Sequence, residues 1–140
     1  MNIYLDIDGV LLANDAQAAR HVDAFLDRCI AQDATMYWLT TWCRGEHNQT
    51  AGWLSNSDMN PATIAKLTAH CKPTNWDVAK TEAIDFSVPF VWFDDDLFEF
   101  ERRELIKHGV LENWIGVDLR KDPDQLLVFA EQSFPLPVNL

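Results

Sequence analysis

The chain has 140 residues, of which 48% are hydrophobic and 24% are charged, and its formal net charge is −11 at pH 7. This size and composition are typical of one globular domain, so we expect residues 1–140 to share a single core. No apolar stretch is long enough to cross a membrane and no signal-peptide pattern is present, so we expect a cytoplasmic protein. The negative charge argues against broad binding to nucleic acids or anionic membranes, whose phosphates would repel it.

The cysteines are three in number and follow no short pairing pattern. Cys29, Cys43 and Cys71 are therefore expected to be reduced thiols in a reducing compartment. A zinc site built from Cys43, His47, His70 and Cys71 is a less favoured alternative, because its spacings match no common structural-zinc pattern.

The N-terminal segment combines an apolar run with two aspartates that lie one residue apart. Residues 3–10 read Ile-Tyr-Leu-Asp-Ile-Asp-Gly-Val, which predicts a buried strand that ends at Asp6 and Asp8 before a turn at Gly9. Alternation places both carboxylates on the same side, where they repel each other unless Mg²⁺ or a shared proton joins them. The alternative is a polar turn that merely closes a buried strand.

The first half of the chain continues with helices around one more apolar strand. The spacing of apolar residues predicts the following elements: a helix over 15–31 capped by Asn14 or Asp15, a strand over 36–39 that ends at Thr40 and Thr41, a helix through Trp53 and Leu54, and a helix from Pro61 to about His70 capped by Asn60.

The second half repeats the alternation. It is predicted to contain a short helix opened by the capping-box pattern Thr74–Asp77 and carrying Lys80, a strand over 88–93 that stops at Asp94–Asp96, a helix over 97–107, a strand over 114–117, a helix that starts at Asp122 and Pro123, and an irregular tail over 135–140.

Apolar strands that alternate with helices predict an α/β fold with a central, mostly parallel sheet and helices on both faces. Right-handed crossovers bring the carboxyl ends of parallel strands to one edge. We therefore expect a cluster at that edge, made of Asp6, Asp8, Thr40, Thr41, Lys80 and Asp94–Asp96. Carboxylates suit Mg²⁺, while a hydroxyl and an ammonium suit a phosphoryl group, so the cluster indicates phosphoryl transfer.

The order of these motifs resembles that of the haloacid dehalogenase (HAD) superfamily of phosphohydrolases. The matching segments are Ile3–Val10, Trp38–Thr41, Lys80 and Phe93–Asp96. The resemblance implies a three-layer Rossmann-like (HAD-like) domain and a Mg²⁺-dependent phosphatase. Its substrate would be a phosphorylated small molecule.

The resemblance also implies a role for each motif residue. Asp6 would be the nucleophile that forms an aspartyl-phosphate, and Asp8 would act as general acid and base. Mg²⁺ would be held by the Asp6 carboxylate, the Asp8 backbone carbonyl and an aspartate of the last motif, with Asp95 preferred over Asp94.

Two further residues would contact the phosphoryl group. Thr40 would bind its oxygens, with Thr41 as the alternative in the same motif, and Lys80 would neutralise charge on the phosphoryl group and on Asp6. Lys66 and Lys72 are the alternatives to Lys80.

Three further residues lie close to the motifs in the sequence. Asp96 could alternatively cap the next helix. Trp42 and Arg44 are candidates for substrate contact, although core packing is the favoured interpretation of Trp42.

The short spacing after the first motif leaves no room for an inserted cap domain, and residues 42–79 hold at most two helices. We therefore expect the cap to be absent or minimal.

Two alternatives to a phosphatase remain. A non-catalytic HAD-like domain would keep the metal site for binding or regulation, although retention of both Asp6 and Asp8 argues against it. A receiver-like signalling domain also combines acids, threonine and lysine on an α/β sheet. It carries its phosphorylated aspartate on a middle strand, however, and residues 37–41 offer none.

Overall fold

The structure, a computed structural model, describes residues 1–131 and has an α/β fold in which a five-stranded parallel sheet is flanked by helices. The strands are β1 (Asn2–Leu5), β2 (Thr35–Trp38), β3 (Cys43–Arg44), β4 (His47–Asn48), β5 (Cys71–Lys72), β6 (Phe90–Asp94) and β7 (Trp114–Gly116). The helices are α1 (Val22–Ala31), α2 (Thr50–Ser55), α3 (Pro61–His70), α4 (Glu99–Lys107) and α5 (Gln125–Glu131). The tail expected at 135–140 lies outside the described residues.

The main sheet has the strand order β5-β2-β1-β6-β7, and all its neighbouring strands run parallel. The strand order reverses between β1 and β6. The strands β2 and β5 are added on one side of β1, and the later strands β6 and β7 are added on its other side. In open α/β sheets the ligand crevice lies outside the carboxyl ends of the strands at such a point. Within residues 1–131, no helix has the length and apolar character needed to cross a membrane.

Side chains of β1 alternate between two apolar clusters. Ile3 and Leu5 pack into one cluster with residues of α1, α3 and α5, and Tyr4 packs into the other with residues of α4. All three are at most 1% exposed. This burial on both sides explains why Ile3, Tyr4 and Leu5 follow one another without an intervening polar residue.

The segment 15–31 corrects one prediction, because it is not a single helix. Residues Asn14–Ala16 form a 3₁₀ helix, and α1 begins only at Val22, after His21 with φ +64°. Neither Asn14 nor Asp15 caps α1. The segment before α1 instead pairs with the residues that follow Gly9, where the Ala19 N–H donates to the Leu11 carbonyl at 2.9 Å. This pairing keeps residues 17–21 out of the helix.

The segment around Lys80 is the second correction. Thr74 does not open a helix, because its hydroxyl donates to the Trp38 carbonyl at 2.6 Å. The helix is a 3₁₀ turn, Lys80–Ala83, and the Glu82 carboxylate accepts the backbone N–H groups of residues 77–79.

The other predicted elements are present, although α5 begins at Gln125 rather than at Asp122, and α4 and β6 each begin two residues later than predicted. Asn60 caps α3 by accepting the Ala62 N–H at 2.9 Å, with Pro61 in the first turn. The β3–β4 hairpin and the two-residue edge strand β5 were not predicted from the sequence. The three cysteines are buried and form no disulfide.

Candidate functional site

The carboxyl ends of β1 and β6 bring two buried aspartates together. Asp6 follows β1 directly and Asp94 is the last residue of β6, and these strands are neighbours in the sheet. The Asp6 N–H donates to the Phe93 carbonyl at 3.1 Å, which continues the pairing of the two strands into the site. Asp6 is 7% exposed and Asp94 is 1% exposed. The predicted meeting of the first and last motifs is thus present in the structure.

Lys80 is the cation of this cluster. Its Nζ lies 2.6 Å from Asp94 Oδ2 and 3.5 Å from Asp6 Oδ2, and its side chain is largely buried. Burial lowers the pKa of Lys80, but the charges of Asp6 and Asp94 outweigh that effect, so the pKa is raised and the ammonium is retained. Of the three lysines considered from the sequence, Lys66 instead pairs with Asp27 on the surface.

Glu101 positions Lys80 from the side of α4. Its carboxylate accepts the Lys80 backbone N–H at 2.9 Å and the Phe98 N–H at 3.2 Å. Glu101 is 2% exposed, so it ties the start of the 3₁₀ turn to the start of α4 inside the protein. The sequence carries no signal that the Glu101 carboxylate reaches residue 80.

Three carboxylates, those of Asp6, Asp94 and Asp95, have oxygens within 4.8 Å of one another. Burial raises the pKa of Asp6, and the charge of Lys80 offsets only part of that effect. Burial and the Asp6 charge raise the pKa of Asp94 to about 7. Desolvation and the hydrogen bond with Asp94 raise the pKa of Asp95 to about 6. One lysine therefore does not compensate the three acids, and the cluster has the charge and the hard oxygen donors of a metal site.

Asp94 and Asp95 differ in how their oxygens are used. Asp94 Oδ2 accepts from Lys80 and from Trp92 Nε1 at 3.1 Å, and Oδ1 accepts the N–H groups of residues 95 and 96. The Asp95 side chain instead points toward the glycine turn after β1, and it is exposed. Asp95 is therefore better placed to coordinate a cation, whereas Asp94 orients Lys80.

Gly9 allows this close approach. Its φ is +83°, and a Cβ at this position would lie 2.3 Å from Asp95 Oδ2. Both the backbone conformation and the space therefore require glycine, which is the residue the first motif supplies.

The threonines after β2 occupy different environments. Thr40 is fully buried, and its Oγ1 accepts the Trp42 backbone N–H at 3.4 Å, whereas Thr41 is exposed. The register of β2 pairs Trp38 with Leu5, so Thr40 lies beyond the same sheet edge as Asp6 and Asp8. Asp96, also exposed, does not cap α4, whose first turn is instead held by Glu101.

Asp8 is held by two tryptophans. Trp42 Nε1 donates to Asp8 Oδ2 at 2.7 Å, and Trp53 Nε1 donates to Asp8 Oδ1 at 3.0 Å. The two indoles stack with their centroids 4.1 Å apart and their planes 15° apart. From the sequence, core packing was the favoured interpretation of Trp42. Its ring does pack against the core, but its indole N–H also reaches Asp8 in the site. No sequence signal identified Trp53.

An open cleft of about 970 Å³ leads to this edge of the sheet. Its lining includes Trp53, two arginines and four aspartates: Arg20, Arg120, Asp8, Asp95, Asp96 and Asp118. Arg44 lies elsewhere, with its guanidinium 4.8 Å from the Trp76 ring centroid. The cleft therefore provides room for a small molecule beside Asp8.

Comparisons of the chain with protein-family models, with curated proteins and with solved structures found no match.

Proposed function

We propose that the protein is a Mg²⁺-dependent phosphatase of the HAD superfamily, with a three-layer Rossmann-like fold and no substantial cap. The observation that carries the proposal is the juxtaposition of Asp6, Asp94, Asp95 and Lys80 at the carboxyl ends of adjacent parallel strands. These groups come from three separate segments of the chain, so their meeting is a property of the fold.

The strand order supports this proposal over a receiver-like signalling domain. When the five parallel strands are numbered along the chain, their order in the sheet is 3-2-1-4-5, as in Rossmann-type folds. The receiver-type order is 2-1-3-4-5. The order found here makes the strand before Asp6 central and pairs it directly with the strand that carries Asp94.

In the proposed mechanism, an oxygen of Asp6 attacks the phosphorus atom of a phosphate monoester. This forms an aspartyl-phosphate and releases an alcohol, after which water cleaves the acyl phosphate. Asp8 donates a proton to the departing oxygen and then accepts a proton from the attacking water. Splitting one displacement into two in this way lowers the barrier of each.

Lys80 and Thr40 stabilise the phosphoryl group. The ammonium of Lys80 already faces Asp6, so it is placed to offset charge that develops on the transferred group. Asp94 and Glu101 hold Lys80 in that position. Thr40 is the better hydroxyl donor of the two threonines, because its buried position is fixed while Thr41 faces solvent.

The carboxylates fit Mg²⁺ because they offer several hard oxygen donors and an excess of negative charge. Asp6 and Asp95 would hold the ion together with the Asp8 carbonyl, and Asp94 is the alternative ligand. When bound, Mg²⁺ supplies positive charge that polarises the phosphoryl oxygens.

The substrate is proposed to be a phosphorylated small molecule. The cleft beside Asp8 is open, and its volume of about 970 Å³ suits a metabolite. The segment between β2 and the Lys80 turn contains only a short hairpin, α2, α3 and β5, which leaves the site without a large cover. The buried, unpaired cysteines agree with the proposed cytoplasmic location.

The proposal is tested by hydrolysis of p-nitrophenyl phosphate and a panel of phosphorylated metabolites, with Mg²⁺ and with EDTA. We expect activity that requires Mg²⁺ and is lost in Asp6→Asn. The matched control is Asp33→Asn, which makes the same change at an exposed site before β2, at the opposite end of the strands.

Two results would contradict the proposal. Full activity of the Asp6→Asn variant would exclude Asp6 as the nucleophile. Mg²⁺ binding by calorimetry without turnover of any ester would favour a non-catalytic HAD-like domain.

A further inference from the structure

We infer that Trp42 and Trp53 are positioning residues that aim the Asp8 carboxyl at the leaving group of the substrate. This inference rests on the proposed function, since it assigns a partner to the residue proposed as general acid and base. The two indoles have no counterpart among the four motifs from which the site was predicted.

The geometry is that of a clamp, by which we mean Trp42, Trp53 and the carboxylate they share. Each indole donates to a different oxygen of Asp8, at 2.7 and 3.0 Å. Because the indoles stack on each other, their N–H groups are held side by side and meet the two oxygens together. Two donors on two oxygens fix the rotation of the carboxylate plane, which a single hydrogen bond would leave free.

Asp8 needs such support more than Asp6 does. Asp6 is buried and faces Lys80, whereas Asp8, the residue before Gly9, is exposed. An exposed aspartate samples several rotamers unless other groups hold it, and a general acid must stay within hydrogen-bond reach of the atom that it protonates. The clamp supplies this restraint from α2, which carries Trp53, and from the loop between β2 and β3, which carries Trp42.

The chemistry of indole suits this role. The indole N–H can donate but cannot accept, and it does not titrate, so the clamp holds Asp8 without competing for the proton that it transfers. A carboxylate has about four lone-pair sites, and the clamp uses one on each oxygen. The remaining sites stay available to the leaving group and to water. Trp53 also lines the cleft, which places the clamped carboxylate at its wall.

The test compares two esters that differ in their need for a proton. The leaving oxygen of an alkyl phosphate departs as an alcohol when Asp8 protonates it, whereas p-nitrophenyl phosphate releases a stable phenolate that needs no proton. For each ester, kcat/KM reports the steps up to departure of the alcohol. We expect Trp42→Phe and Trp53→Phe each to lower kcat/KM about tenfold for the alkyl phosphate and less than about twofold for p-nitrophenyl phosphate.

The control is Trp76→Phe, which makes the same change elsewhere. The Trp76 N–H is buried and has no hydrogen-bond partner among residues 1–131, so this variant should leave both values unchanged. The ratio of the two kcat/KM values does not depend on the fraction of folded protein, so partial unfolding of a variant cannot imitate the expected result.

The outcomes separate this inference from the proposed function. Equal losses for both esters, or no loss for either, in a wild-type enzyme that is active would overturn the clamp and leave the phosphatase intact. A wild-type protein that hydrolyses neither ester would overturn both.

Discussion

Lys80 offers a direct measure of how strongly the candidate site depends on internal charge balance. In the metal-free protein, Lys80→Met would leave Asp6 and Asp94 buried without their cation, while the apolar stem of the side chain would be largely preserved. At the observed 2.6 Å from Asp94, two unit charges attract by about 6 kcal/mol at an effective dielectric constant of 20. Part of this energy only offsets desolvation, so we expect the free energy of unfolding to fall by about 3–5 kcal/mol.

Lys66→Met is the matched control. Lys66 Nζ lies 3.1 Å from Asp27 Oδ1, so the pair has similar geometry, but the two side chains are 50% and 62% exposed. Water screens such a pair, and we expect its loss to cost less than about 1 kcal/mol.

Urea unfolding followed by far-ultraviolet circular dichroism, in EDTA at pH 7.5, measures both variants. Added Mg²⁺ should recover part of the stability of Lys80→Met, because a second cation reaches the same carboxylates. Equal losses in the two variants would show that Lys80 does not balance a buried charge, and the electrostatic description of the site would then be wrong.

Two other variables test the same region. Gly9→Ala should weaken Mg²⁺ binding at least tenfold by calorimetry, because its Cβ would displace Asp95; unchanged affinity would contradict that contact. Between about pH 5.5 and 8, the free energy of unfolding of the metal-free protein should fall, because Asp94, with its pKa raised to about 7, keeps a proton in the folded state that the unfolded chain has lost. Mg²⁺ should therefore stabilise the protein more at pH 8 than at about pH 5.5. Urea unfolding with and without Mg²⁺ measures this stabilisation, and an equal gain at the two pH values would refute the prediction.

The sequence was sufficient to predict the parallel sheet and the meeting of Asp6 with Asp94. Both follow from local signals, namely apolar runs that end in acids, combined with the rule that parallel strands share a carboxyl edge. The cap of α3 was also predicted, because Asn60 and Pro61 act within one turn of chain.

What the sequence did not predict depends on contacts between distant segments. The 15–31 segment has helical periodicity, but pairing of Ala19 with Leu11 overrides it. Thr74 has the pattern of a cap, but its hydroxyl is taken by the Trp38 carbonyl from another element. The contacts of Trp53 with Asp8 and of Glu101 with Lys80 join residues from separate elements, so no periodic pattern in the sequence predicts them.

The central place of β1 has a consequence for folding. Both edges of β1 are covered by strands that follow it in the chain, β2 and β6, so its hydrogen bonds are completed only after residue 94 is available. Contacts of such long sequence separation slow folding. Fragments that end before β6 would expose an apolar strand edge and would tend to aggregate. Once folded, β1 should show the slowest amide hydrogen exchange in the chain, and metal binding at Asp6 would report that the centre of the sheet is complete.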